Sequence, residues 1–474
     1  MTDSPIKFGT DGWRAIIADE FTFANVRACA QGTAQYIREA GLAERGIVVG
    51  YDTRFASDRF AAAVAEVMAA NEIRVYLADR AAPTPVIGHA IVARKAAGSV
   101  VITASHNPAE YSGFKVRTEY AGAAPPDILA TIERFARATS IDVKSMPLPE
   151  AETRNLVERF DPREGYLGHI TELVDLERIK KAGLSVVVDS MHGAGAGYFT
   201  DLLSGGTTTV LKTRGELNPN FPGMHNPEPI ARNLSSTSEL VREQGAQVAL
   251  ATDGDADRIG VIDGAGKFVD QLLTYGLLAY YLLDVRGLRG PMVKSVTTTR
   301  MIEKLGELYD VPVHETPVGF KHLGPKMLET DALIAGEESG GFAFRGHLPE
   351  RDGILSGLYI LDLLARRNKQ LPELVDELFE KVGPHYYDRI DVTMTAENRA
   401  QVEDRLRFLE PTEVAGVPVT GIDRVDGLRF TLEGGGWALI RLSGTEPLMR
   451  IYTEVGSEQL VKPVLDSVRE LTGV

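Results

Sequence analysis

The sequence predicts a four-domain protein in which three successive α/β modules precede a C-terminal α+β domain. Three observations carry that prediction. The chain has 474 residues, and at about 150 residues per domain that exceeds one or two cores. Short runs rich in β-branched residues alternate with helical patterns over most of the chain, which implies βαβ units and parallel strands. From residue 385 onward the pattern changes to period-two segments at hairpin spacing, as in an antiparallel sheet with helices on one face.

Each element follows in turn. Residues 46–51 (GIVVGY) read as a strand, and Asp58 as the N-cap of an Ala-rich helix through Ala70, because its side chain can accept from the orphan N–H groups. Ile73 to Ala78 and Ser99 to Thr103 are the next strands, and the polar stretch Ser140 to Glu150 closes a first domain, 1–145. The pattern restarts around Asp161-Pro162 for a second domain, 160–258, with strands at Leu184 to Asp189 and Val248 to Thr252 and a helix near Ser236 to Gln244. A third, 259–375, takes a helix from Leu272, a strand at Pro291 to Val296, a helix after Thr299 and a strand at Val311 to Glu315. In the fourth, 385–474, Arg389 to Thr395 alternates polar and apolar, and a helix runs from Glu397 to Leu409. Strands at Val417 to Val419, Leu428 to Leu432 and Trp437 to Arg441 precede a terminal helix from Glu458.

Charge and cysteine usage narrow the function. Fifty-one Lys and Arg against 66 Asp and Glu give a net charge of −15. Such a field repels phosphate backbones, so nucleic-acid and acidic-membrane partners are not expected, and an anionic ligand needs local cations. The single cysteine, Cys29, supports neither a disulfide framework nor a cysteine metal site and fits a reducing compartment. Asp3, Lys7, Asp11 and Arg14 interrupt any apolar leader, and the apolar stretch Leu272 to Leu283 is too short to span a bilayer. A soluble, cytoplasmic protein is the expectation.

Four motifs carry chemistry. Ser105, in Thr103-Ala104-Ser105-His106-Asn107-Pro108, lies just past the strand SVVIT, where ligands gather in open α/β sheets. The Asn-Pro turn would display its hydroxyl; a turn or capping serine is the plain alternative. A serine-hydrolase elbow would need glycines where Thr103 and Asn107 stand. Next, Asp253, Asp255 and Asp257 alternate with small residues directly after the strand VALAT. Three such carboxylates repel one another unless a cation sits between them, and all-oxygen ligation open to a phosphate suits Mg²⁺. An EF-hand fails, since Arg258 and Gly264 stand where that loop needs Gly and Glu.

The third motif, Arg441-Leu442-Ser443-Gly444-Thr445-Glu446-Pro447 with Arg450 beyond it, combines hydroxyls, a glycine and two guanidiniums into an anion cradle. Arg grips phosphate bidentately where Lys would be only a point charge. The fourth, Gly336-Glu337-Glu338-Ser339-Gly340-Gly341, offers carboxylates and a hydroxyl to vicinal sugar hydroxyls, with a plain acidic turn as the equal alternative. Arg14, Lys115 and Lys321 are basic residues in Gly-rich settings.

Together, GTDGWR, TASHNP followed by GFK, DGDADR, GEESGG and RLSGTEP stand in an order and number that resemble the α-D-phosphohexomutase superfamily, in its phosphoglucomutase/phosphomannomutase group. The resemblance covers essentially the whole chain. It implies three similar α/β domains with mixed sheets and a fourth, TATA-box-binding-protein-like α+β domain, arranged around a central cleft. By that resemblance Ser105 carries a phosphoryl group, and Mg²⁺ sits between it and Asp253, Asp255 and Asp257. Arg258 adds a guanidinium to the same phosphate. Lys115 matches the general base, with Arg14 and His106 beside it in the catalytic set; a lysine among cations would have its pKa lowered for that role. Arg441, Ser443, Gly444, Thr445 and Arg450 match the grip on the unreactive phosphate. Glu337 and Ser339 match the residues that hold the sugar hydroxyls, and Gly319 and Lys321 the third-domain specificity loop.

The implied activity interconverts hexose 1- and 6-phosphates of glucose, and of mannose second, through a bisphosphate, with hexose 1,6-bisphosphate as activator. The enzyme would be a monomer or dimer that takes small hexose phosphates. One departure stands out: some members have a histidine where this chain has Gly341, which bears on the mannose preference. Phosphoglucosamine mutase and hexose-bisphosphate synthase use the same motifs and stay open. A non-catalytic sugar-phosphate binder would be expected to lack one of Ser105, Lys115 or the aspartates, and this chain keeps them all.

Overall fold

The structure, a computed structural model, describes residues 5–9, 11–139, 142–443 and 447–473. Four sheets organise it. The first has six strands in the order Trp13–Ile16, Tyr111–Thr118, Gly98–Ile102, Ile47–Tyr51, Val75–Ala78 and Val157–Phe160. The last four run parallel, whereas Tyr111–Thr118 is antiparallel to both its neighbours. Ile47–Tyr51 and Gly98–Ile102 are buried almost without interruption, as expected for parallel strands covered on both faces.

The second sheet orders Phe268–Val269, Ile259–Asp263, Val248–Thr252, Ser185–Asp189 and Thr209–Thr213, and the third Val313–Thr316, Met292–Ser295, Ile334–Gly336 and Phe342–Phe344. In each of the three sheets the parallel set is bordered by one antiparallel strand reached by a short loop. Those loops hold Ser105, the three aspartates and Glu337 respectively. The three domains thus repeat one design, and the repeat puts three of the four motifs on equivalent loops at the carboxyl ends of parallel strands, where open sheets bind ligands.

The fourth sheet is antiparallel throughout: Tyr386–Thr393, Leu448–Val455, Trp437–Leu442, Leu428–Leu432, Val417–Asp423 and Glu413–Val414. Helices Ala396–Phe408 and Glu458–Thr472 accompany it. One continuous apolar core runs through the first three domains, joining Ile87, Tyr166, Leu250, Leu278 and Ile360. The fourth domain has its own core around Phe430, Ile440 and Ile451. It reaches the third through a small cluster of Leu272, Val296, Trp437, Leu439 and Tyr452.

Several sequence expectations are corrected. The strand Val157–Phe160 completes the first sheet, so that sheet extends past the boundary at 145. Ile259–Asp263 and Phe268–Val269 belong to the second sheet, not to a third domain beginning at 259. The few residues from Asp253 to Arg258 suffice for an antiparallel return but not for a parallel crossover. Helix Leu371–Val382 packs on helix Gln271–Tyr280, which carries the third domain past 375.

Asp58 is not a cap. Helix Ser57–Ala70 starts from Ala56 in the left-handed region (φ 56°) with no side-chain cap, and the Ser57 hydroxyl donates to Asp52 Oδ1 at 3.0 Å. Asp58 lies in the first turn, where a carboxylate still favours the helix dipole. Strand Leu448–Val455 has no counterpart among the elements expected from the sequence. Its burial does not alternate, because Ile451 faces the fourth core while Tyr452 and Glu454 face the third domain.

Candidate active site

Ser105 sits on the loop after Gly98–Ile102 with φ +52°, a left-handed conformation that a non-glycine residue adopts only under constraint. Arg54 imposes it. Its guanidinium donates to the carbonyls of Ser105 (2.7 Å), Asn107 (2.6 Å), Pro108 (2.7 Å) and Tyr111 (2.9 Å), and Asp52 holds its Nε at 3.2 Å. The Ser105 amide donates to Thr103 Oγ1 at 2.9 Å. The expected display of the hydroxyl is corrected: the second-domain loop closes over Ser105 and buries it, and the hydroxyl donates to Asp253 Oδ2 at 2.9 Å.

Asp253, Asp255 and Asp257 are buried and converge, with ligand oxygens within 4.8 Å of one another. Glycine at 254 permits this, since a Cβ there would lie 2.5 Å from the Ser105 carbonyl oxygen. The neighbouring domains clasp the loop. Thr84 of the first domain donates its hydroxyl to Asp255 Oδ2 (2.6 Å), and the Gly353 amide of the third donates to the Ala256 carbonyl (3.1 Å). Asp255 Oδ1 and Asp257 Oδ1 are buried with no hydrogen-bond donor among the described residues. Buried carboxylate oxygens without donors are costly, and three hard oxygen ligands facing one another fit a hard divalent cation.

The electrostatics match. Burial, with Asp255 and Asp257 close by, pushes the Asp253 carboxyl well above the usual carboxylate range. Burial together with Asp255 raises Asp257 against the pull of Arg351. Burial also opposes ionisation of Asp255, but the bonds from Lys115 and Thr84 outweigh it and hold that carboxyl below the usual range.

Lys115, on strand Tyr111–Thr118, lies 2.8 Å from Asp255, 3.1 Å from Asp11 and 3.7 Å from Asp257. The expected lowering of its pKa is corrected. Burial alone would lower it, yet Asp11, Asp255 and Asp257 outweigh burial and push it up. Arg14 donates to Asn107 Oδ1 at 2.6 Å, which places it beside the Ser105 loop. Burial, then Arg258 and Arg14, hold the His106 imidazole well below its ordinary pKa, so His106 is neutral near pH 7. Arg258 donates its amide to Asp253 Oδ1 (3.1 Å) and pairs with Glu228 (3.1 Å).

The Gly336–Gly341 motif is also drawn in. Glu337 is buried, which raises its carboxyl pKa despite Arg351 nearby, and Ser339 Oγ has no partner among the described residues. Glu338 is spent elsewhere, taking Tyr387 (2.6 Å) and Arg389 (2.9 Å) of the fourth domain. Gly319, with φ +118°, starts helix Phe320–Thr330, and Lys321 occupies its first turn.

The absent side chain at 341 has a structural reason. Arg351 crosses over Gly341, and a Cβ there would meet Arg351 Cδ at 2.3 Å. The guanidinium thereby reaches Asp257 (3.1 Å) and Asp11 (3.2 Å), with Glu337 at 3.9 Å. Gly341→Ala is expected to displace Arg351, at a stability cost of about 1–3 kcal/mol and with kcat/KM reduced about tenfold. Thermal melts and steady-state kinetics check this; unchanged kinetics would show that Arg351 is dispensable.

Arg441 and Arg450 face each other across paired strands. Like charges so placed destabilise a sheet unless an anion joins them. Arg441 Nε binds Asp426 at 3.1 Å, and Arg450 Nε lies 3.9 Å from Asp391. The Ser443 carbonyl accepts from Arg399 at 2.9 Å. Gly444 and Thr445 lie outside the described residues. A cavity of about 400 Å³ opens here, lined by Arg407, Arg424, Asp426 and Arg441 among others, a size that suits a small ligand.

Asp11, Arg54, Thr84, Arg351 and Asp426 were not singled out in the sequence. Two of them left a usable signal: Asp11 stands inside GTDGWR, and Arg54 is a cation just past the buried strand GIVVGY. The others reach the site from distant segments.

Similarity to known proteins agrees with this geometry. The phosphoglucomutase/phosphomannomutase α/β/α domains I, II and III match residues 5–141, 164–266 and 270–382, and that family's C-terminal domain matches 394–471. A Thermococcus kodakarensis protein named phosphoglucomutase/phosphomannomutase is 31% identical over 97% of this chain and 96% of its own. A Sulfurisphaera tokodaii phosphoglucosamine/phosphogalactosamine mutase is 30% identical over 98% of both chains. A Thermus thermophilus crystal structure bearing the phosphomannomutase name is 35% identical, covers 99% of both chains and superposes with a TM-score of 0.87. With all four domains matched in order, the chain belongs to the phosphoglucomutase/phosphomannomutase family.

Proposed function

We propose that this enzyme is a Mg²⁺-dependent hexose-phosphate mutase that interconverts the 1- and 6-phosphates of glucose, and of mannose second, with Ser105 as phosphoryl carrier. The observation that carries the reading is the Ser105 hydroxyl, held in a constrained conformation and directed at Asp253 in a buried three-carboxylate pocket. Asp253, Asp255 and Asp257 would hold the ion, which when bound supplies charge neutralisation to a phosphoryl group at Ser105.

In the forward step the phosphoryl group leaves Ser105 Oγ for the free hydroxyl of a hexose monophosphate. The Ser105 O–P bond breaks as the sugar O–P bond forms, and the proton of the attacking hydroxyl passes by way of the acid–base group to the departing Ser105 Oγ. The bisphosphate turns end for end, and its other phosphoryl group returns to Ser105. Hexose 1,6-bisphosphate therefore activates by phosphorylating a bare Ser105. Arg258 and Arg14 stabilise charge at the reacting end. The acid–base role of Lys115 requires it to part from the carboxylates that now keep it protonated.

Glu337 and Ser339 hold the sugar hydroxyls, and Gly319 and Lys321 border them. Arg441, Ser443 and Arg450, continued by Gly444 and Thr445, hold the unreactive phosphate in both orientations. Binding energy from that phosphate is then available to close the site and exclude water. Arg441→Ala is expected to raise KM for glucose 1-phosphate and also to lower kcat, as steady-state kinetics would register.

A phosphoglucosamine mutase is the second reading, favoured by the relative from Sulfurisphaera tokodaii. A coupled assay on glucose, mannose and glucosamine 1-phosphates, with Mg²⁺ and trace bisphosphate, tests both. The expected ranking is glucose, then mannose. Fastest turnover of glucosamine 1-phosphate would select the second reading, and turnover of none would overturn both.

A further inference from the structure

We propose that Asp426 is a positioning residue that ties the phosphate cradle of the fourth domain to the sugar-selecting loop of the third. The inference rests on the reading of Arg441 as a phosphate ligand. One carboxylate makes both links: Asp426 Oδ1 accepts from Arg441 Nε at 3.1 Å, and Oδ2 accepts from the Val318 amide at 2.9 Å. Val318 directly precedes Gly319, the left-handed start of helix Phe320–Thr330.

The turn that carries Asp426 is built for this position. Gly427 has φ +107°, and a Cβ on it would lie 2.4 Å from the Ile440 carbonyl oxygen. Only glycine lets the turn lie flat against strand Trp437–Leu442, one residue from Arg441. Independent contacts clamp the same loop onto the fourth domain. Arg429 makes a two-pronged pair with Glu315 at 2.6 and 2.7 Å, at the end of strand Val313–Thr316 that feeds the loop. Val318 itself packs against the apolar cluster of Leu272, Val296, Trp437, Leu439 and Tyr452.

This arrangement has a chemical consequence. Arg presents a planar fork of five donors, and fixing Nε on Asp426 sets the plane in which the terminal nitrogens meet a phosphate. The same carboxylate sets where the Val318–Gly319 backbone stands. The grip on the unreactive phosphate and the shape of the loop that selects the sugar are therefore fixed by one side chain. A phosphate misplaced at Arg441 and a sugar misplaced at the loop become one and the same error.

Asp426→Ala and Asp426→Asn test this, with Arg441→Ala in parallel. Asp426→Ala is expected to raise KM for glucose 1-phosphate about tenfold, the effect of losing a charge-assisted hydrogen bond. It is also expected to narrow the ratio of kcat/KM between glucose 1-phosphate and the better of mannose or glucosamine 1-phosphate. Asp426→Asn keeps the size of the side chain but offers one acceptor oxygen to two donors, so it can keep only one of the two links and should restore the ratio in part at most. General loosening of the domain would lower both substrates alike and leave the ratio unchanged, and that result overturns the inference. If Arg441→Ala raises KM while Asp426→Ala alters neither KM nor the ratio, this inference alone falls. Unchanged KM in Arg441→Ala would overturn the phosphate reading itself.

Discussion

Ser105→Ala is expected to abolish steady-state mutase activity, by roughly 10³-fold or more, while leaving the fold intact. The side-chain partner of the hydroxyl is Asp253 Oδ2, so the substitution removes one hydrogen bond, worth about 1 kcal/mol. The left-handed backbone at 105 is held by Arg54 through four carbonyls and does not depend on the side chain. Alanine should therefore occupy the same position with the carrier oxygen deleted. Peptide mass spectra of wild-type protein incubated with hexose 1,6-bisphosphate should place the phosphoryl group on Ser105. Phosphate found only at another residue, or full activity in Ser105→Ala, would sink the carrier role. Slight residual turnover would be consistent with direct donation by the bisphosphate.

Asp255→Asn carries the second large effect. The substitution keeps size but removes one of three converging charges and the nearest counter-charge of Lys115. Mg²⁺ should bind more weakly, and the rate should fall by about 10² or more as charge stabilisation at the reacting phosphoryl is lost. A readout independent of turnover is available in thermal melts with and without Mg²⁺. At a concentration of 100 times Kd the ion stabilises the native state by about 2.7 kcal/mol, and tenfold weaker binding leaves about half of that. The variant should show a smaller metal-induced rise in melting temperature. An unchanged rise together with unchanged activity would place the metal elsewhere.

The domain count was legible because in each of the first three domains one short buried strand is followed directly by a motif, as at Gly98–Ile102, Val248–Thr252 and Ile334–Gly336. Domain limits were less legible. A strand such as Val157–Phe160 joins a sheet formed far earlier in the chain, and local pattern carries no trace of its partner. Strand Leu448–Val455 was hidden for a related reason: it is buried on two sides by different domains, so its alternation is lost.

The sequence by itself determined which groups are on offer: a serine just past a buried strand, three closely spaced carboxylates, two arginines flanking a Ser-Gly-Thr segment and an acidic glycine-rich loop. These follow from residue type and short spacing, which are local properties. Tertiary structure decided how those groups are tuned and joined. Lys115 is a paired cation rather than a base with a lowered pKa because Asp11, Asp255 and Asp257, from two domains, surround it. Gly341 is the room through which Arg351 reaches Asp257. Asp426 joins Arg441 to Val318 across a domain boundary. Charge–charge energies fall off over a few ångströms, so they depend on distances between residues far apart in the chain, and those distances exist only once the four domains have packed.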